Sequence, residues 1–165
     1  MVVRAFPSLA LVACLVSAAA CGPSVDLTTA LEVVETSGGF YDNGQKDGKR
    51  HLLPTVSFRV QNKTDLELDS LQITVQFRRV GMEEDFDSKL LPHLSLAPGG
   101  QSDLNVIRAE RGYTLEDPDL EELFGHSQFR DFTVRFFARR SGQIVQIGEY
   151  TIERRILTQT TAGRP

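Results

Sequence analysis

Hydrophobic and polar residues alternate with a period of two in several short runs between residues 55 and 156. In Thr55–Gln61 the alternation puts Val56, Phe58 and Val60 on one face. In the next run Leu71, Ile73, Val75 and Phe77 alternate with Gln72, Thr74, Gln76 and Arg78, and later Phe132, Val134, Phe136 and Ala138 alternate with Thr133, Arg135, Phe137 and Arg139. This period marks strands with one face in a core and the other in solvent. A last run from about Gln143 to Ile156, a short one with Leu104 and Val106, and an opening one from Leu27 to Glu35 carrying Leu31 and Val33 complete the set. Turn residues separate them: Asn62-Lys63-Thr64-Asp65, Ala97-Pro98-Gly99-Gly100 and Ser141-Gly142. Ser37 to Arg50, rich in Gly, Asp, Asn and Lys, is expected to be a flexible loop. Asp117 to Gly125 predicts one short helix, with Asp117 as cap, Pro118 in the first turn and Gly125 at the end. About seven strands at close spacing with one short helix predict an all-β fold, an antiparallel immunoglobulin-like β-sandwich over residues 27–157, with a flexible tail at 158–165.

The first twenty residues read differently. Arg4 precedes an apolar run from Ala5 to Val16, and Ser17-Ala18-Ala19-Ala20 leads into Cys21. The run is shorter than the roughly 20 residues a permanent membrane helix needs, so it reads as a cleavable export signal. The small residues before Cys21 resemble the lipobox of bacterial lipoproteins, with Ala18 where that family prefers Leu. Leu11-Val12-Ala13-Cys14 fits the short pattern, but its apolar run is too short and it would leave LVSAAA on the mature chain. The resemblance implies a signal peptide at 1–20, lipidation of Cys21 and a tether at 21–26. It implies a membrane-anchored protein of the cell envelope, on the periplasmic face of the outer membrane if the organism has one, since no Asp follows the cysteine. Two or more acyl chains would hold it firmly.

The chain has 165 residues, enough for one domain, and 41% hydrophobic content, enough for a core. Its net charge of -4 lacks the basic surplus of a nucleic-acid binder, so no nucleic-acid partner is expected. Both cysteines, Cys14 and Cys21, lie in the N-terminal segment, leaving the remaining domain without a disulfide or thiolate metal site.

Phe58-Arg59-Val60-Gln61-Asn62-Lys63-Thr64, Leu71 to Phe77 and Leu96-Ala97-Pro98-Gly99 together resemble the small immunoglobulin-like modules of bacterial envelope proteins, including the FxLYD type, over roughly residues 55–107. Arg78-Arg79 stand where that family has Tyr-Asp. The resemblance implies a fold and no catalytic residues.

Candidate chemistry is sparse, and no cofactor, metal or catalytic residue is assigned. His51, His93 and His126 fall in predicted loops without ligand spacing. Asp42 to Gly48 misses the calcium-loop pattern, having Gly44 and Lys46 at the third and fifth places. The acids of Glu83–Asp87 and Glu116–Glu122 read as solvated surface, and no nucleophile elbow or phosphate loop is present. Charge is unevenly spread: Glu83 to Glu122 is acidic, whereas Arg130, Arg135, Arg139, Arg140, Arg154 and Arg155 make the end basic. Arg135, Phe137 and Arg139, with Arg154, form a candidate interaction surface, because Arg and aromatic residues are enriched in interface cores. The expected function is a lipid-anchored, non-enzymatic interaction or accessory module with an envelope protein partner. The alternatives are a carrier or sensor with an apolar cavity lined by Phe58, Phe77, Phe132 and Phe136, and a hydrolase using one of the histidines.

Overall fold

A computed structural model of the chain describes residues 25–116 and 120–157. The segment read as an export signal, Cys21, the expected helix cap at Asp117-Pro118 and the expected tail at 158–165 lie outside the described residues. In chain order the elements are α1 (Leu27–Ala30), β1 (Leu31–Lys46), β2 (Lys49–Asn62), β3 (Leu68–Arg79), β4 (Asp85–Leu90), β5 (Leu94–Leu96), β6 (Asn105–Arg108), β7 (Tyr113–Leu115), α2 (Leu120–Gly125), β8 (Phe132–Arg140), β9 (Gln143–Thr151) and β10 (Ile156–Leu157).

The alternating residues fold as their period requires. One sheet has the order β10-β1-β2-β6, with β7 also on β2; the other has the order β4-β3-β8-β9, with β5 also on β3. All pairings are antiparallel except β1 with β10. Val56, Phe58 and Val60 of the first sheet face Ile73, Val75, Phe77, Val134 and Phe136 of the second in one core, all fully buried. Phe58 meets Phe136 across the layers at 4.6 Å between ring centroids. The protein is therefore an all-β sandwich. Among the described residues no helix is long and apolar enough to cross a membrane.

Three expectations change. The described residues hold ten strands rather than about seven, and a second helix, α1, opens the domain under a cap in which the Asp26 side chain accepts from Thr28 N. Ser37–Arg50 is no loop. Its residues continue β1 and β2 as a hairpin paired out to Lys46 and Lys49, turning at Asp47 and Gly48, both with positive φ. An ion pair of 2.5 Å between Arg50 and Asp42 clasps it. The outer part of this hairpin buries little on either face, so its strands carry no hydrophobic alternation to read. His51 accordingly lies in β2, opposite Thr114, rather than in a loop.

Two of the segments that resemble an envelope module, Phe58–Thr64 and Leu96–Gly99, meet at Asn62, a fully buried polar side chain. Its amide nitrogen donates to the carbonyls of Leu66 (2.7 Å), Ala97 (3.0 Å) and Leu96 (3.3 Å), and its oxygen accepts from Thr64 N and Oγ1. Its backbone N–H donates to Gly100 O. One side chain thus joins the end of β2 to the connection leading into β3 and to the turn after β5. A buried amide is tolerable only when its donors and acceptor are met, and truncating it strands the groups it served. Asn62→Ala is expected to lower the unfolding free energy by about 3 kcal/mol, read as a lower midpoint in urea denaturation without a change of slope.

Candidate functional site

The two ends of the sandwich are closed by different means. At the end where the chain enters, α1 packs on β9, with Leu27 N donating to Gln143 Oε1, and the Asn62 network joins the sheets. At the opposite end, where Arg79 pairs with Phe132 and Thr133 with Thr151, closure is aromatic. Strand β8 runs from one end to the other, about 25 Å at the usual strand rise.

Phe40, fully buried, is the hub of the aromatic end. Its ring lies 5.5 Å from Phe129, 5.6 Å from Phe124 and 6.2 Å from both Tyr113 and Phe132. Tyr113 stacks on Phe129 at 4.9 Å, and its hydroxyl both donates to Arg130 O and accepts from Arg130 N. These bonds fasten the turn after α2 to β7. Gly112 lets β7 approach β2: a Cβ there would meet Leu52 O at 1.9 Å.

Between these parts opens a cavity of about 700 Å³. Strand β7 lines it with Tyr113, Thr114 and Leu115, and α2 and its following turn with Leu123, His126, Gln128, Phe129 and Arg130. Arg79 and Met82, from the end of β3 and the turn beyond it, also line it, with Glu116. Arg79 and Met82 also border a smaller recess of about 400 Å³ next to Glu84, Asp85, Phe86, Arg111 and Gly112.

Arg79 is the unusual residue here. The alternation that buries Leu71, Ile73, Val75 and Phe77 puts Arg79 on the same, inward face of β3. Its guanidinium lies 4.5 Å from the centroid of Phe86, 5.7 Å from that of Tyr113 and 5.8 Å from that of Phe132. Ring faces attract a cation but accept no ordinary hydrogen bond. Its Nε is buried without an acceptor, and among the described residues Arg79 has no carboxylate partner.

The arginines singled out from sequence are separated by the fold. Arg135, Phe137 and Arg139 do share the outer face of β8. Arg135 is engaged by Glu149 at 2.9 Å. Arg154 lies elsewhere, at the aromatic end, where Nε and an Nη bond both carboxylate oxygens of Asp131 at 2.7 and 2.8 Å and another Nη donates to Phe124 O. Arg140 pairs with Asp69 and Arg155 with Glu153. The acids that meet this basic end thus come from outside the Glu83–Glu122 segment.

The histidines sit on separate elements: His51 in β2, His93 exposed between β4 and β5, and His126 on the cavity wall, its Nδ1 accepting from Gln128 N. Among the described residues no three His, Cys, Asp or Glu side chains gather as metal ligands. Phe58, Phe77, Phe132 and Phe136, expected to line an apolar ligand cavity, are instead fully buried in the packed core, and neither recess at the aromatic end is lined by them.

No family model and no curated protein matches this chain. Solved structures resemble it distantly. A Northeast Structural Genomics Consortium target is 9% identical with a TM-score of 0.45, over 77% of this chain and 89% of that one. A protein from Archaeoglobus fulgidus is 8% identical with a TM-score of 0.39, over 74% of this chain and 98% of that one. Both likenesses are too distant to bear on function.

Arg154 holds the carboxyl of Asp131 below its ordinary range, chiefly by hydrogen bonding and further by its charge, against the opposing effect of partial burial. A carboxyl whose folded pKa is depressed stabilises the fold above its unfolded pKa, and that contribution disappears as pH falls through the folded value. Asp131→Asn is therefore expected to be less stable than the parent at pH 7, with the difference shrinking below about pH 4. Chemical denaturation at a series of pH values measures this.

Proposed function

We propose that the chain is a lipid-anchored cell-envelope protein: a non-catalytic β-sandwich that binds its ligand or partner at the end facing away from the membrane. The observation that carries this reading is the placement of the cavity relative to the lipobox-like segment. Cys21 precedes the first described residue, Val25, by four positions, and α1 follows at Leu27, at the end of the sandwich opposite Arg79. A chain held by a lipid at Cys21 would keep the α1 end near the bilayer and present the aromatic end to the surrounding compartment. The signal-like residues 1–20 and the envelope-module resemblance around Asn62 support the same compartment.

The cavity also supports the carrier or sensor alternative at a different place from the one expected. It lies at the distal end rather than between the sheets at Phe58 and Phe136. A hydrolase would have His126 in the cavity; the hydroxyls among the described lining residues are those of Thr114 and of Tyr113, the latter bonded to the Arg130 backbone.

Feeding a bacterial expression host an alkyne fatty acid and comparing the parent with Cys21→Ala tests the anchor. The parent is expected to carry label and to fractionate with membranes, and the variant to carry none. An unlabelled parent would refute the lipid anchor, and the domain would then be read as a freely exported protein.

A further inference from the structure

We infer that the distal cavity binds a small organic anion, a carboxylate carried on an apolar body, and that Arg79 holds its charged end. The inference rests on the reading of the aromatic end as the binding end and names its ligand class. Several arginines near the cavity have a visible use. Arg154 is matched to Asp131, Arg111 donates to Phe86 O, and Arg130 to the carbonyls of Ser127 and Phe129; Arg78 donates to Glu83 O, while its Nε, 3.6 Å from Asp85, is buried without an acceptor like that of Arg79. Arg79 has three rings and no hydrogen-bond acceptor among the described residues. A guanidinium has five N–H donors in a planar fork that matches a carboxylate, and in the half-buried Arg79, whose Nε is shielded from water, part of the hydration an incoming anion would displace is already lost.

The rest of the cavity fits the other half of such a ligand. Tyr113, Leu115, Leu123, Phe129 and Met82 provide apolar wall, and about 700 Å³ lies within the range of small-molecule sites. An inorganic anion would leave that wall unused. Among the described residues the acid on the wall is Glu116, bound by Lys49 at 2.7 Å, which holds its carboxyl below the ordinary range and offsets its charge. Glu84 and Asp85 border the smaller recess on the other side of Arg79, and Asp85 is shared with Arg78.

The test is equilibrium binding of 2-naphthoate to the full chain in lipid nanodiscs at low salt, followed by the probe's fluorescence, with 2-naphthalenemethanol as the uncharged counterpart. The parent is expected to bind the carboxylate at least about tenfold more tightly than the alcohol, and Arg79→Gln to erase that preference. Gln128 is exposed on the cavity rim, so Gln128→Lys and Gln128→Glu alter the local charge without touching the core. They are expected to tighten and weaken naphthoate binding by about threefold each, which keeps the test decisive if Arg79→Gln does not fold by circular dichroism. Equal affinity for both probes, or an unchanged response in both Gln128 variants, would overturn the anion assignment and leave an apolar binding end. Failure of both probes to bind would overturn the binding end itself, whatever the fatty-acid label shows.

Discussion

The fold depends on how one buried amide is satisfied. Asn62 is removed from water at the point where the chain leaves one sheet for the other, and each of its polar atoms is met there. Directional bonds of this kind fix the crossing geometry at the α1 end and leave little slack. The far end is closed instead by rings around Phe40, whose contacts tolerate a wide range of angles, from 29° to 85° between planes. Ring packing of that sort fills space without dictating a single arrangement. It is compatible with an open cavity in a way that a hydrogen-bonded seam is not, and the cavity lies at that end.

Most of the sandwich could be read from the sequence because its central strands bury one face. Val56-Phe58-Val60, Leu71 to Phe77 and Phe132 to Ala138 each carry the alternation that burial imposes, and each is a strand. The outer hairpin of β1 and β2 could not be read in this way. There, backbone pairing persists while both faces are wet, so Gln45 and Lys46 look like loop residues although they are paired with Arg50 and Lys49. Residues that make a strand only through its partner leave no local signature.

The candidate site was partly visible. Arg78-Arg79 stood out where the envelope modules have Tyr-Asp, but the sequence did not show which arginine mattered. Counting the β3 period two places past Phe77 reaches Arg79 and marks it as a cation on the core side. The rings around it come from β4, β7 and β8, far apart in the chain, and only the fold assembles them. For Arg135 and Arg154 the fold adds what the sequence did not show: each is matched by an acid, Glu149 and Asp131, whose proximity follows from strand register and loop geometry.

The packing of α1 on β9 has a further consequence. β9 is the outer strand of its sheet, with exposed Ile144, and a bare outer strand is a template for pairing with another chain. Two features oppose that. The register slip opposite Phe136 and Phe137 breaks the regular spacing of its free backbone groups, and α1 lies against its first residues through Leu27 and Gln143. The opening turn of the domain thus covers the start of that edge. A copy shortened past Ala30 would lose a few residues of core and, more damagingly, expose a sticky seam along which identical molecules could assemble.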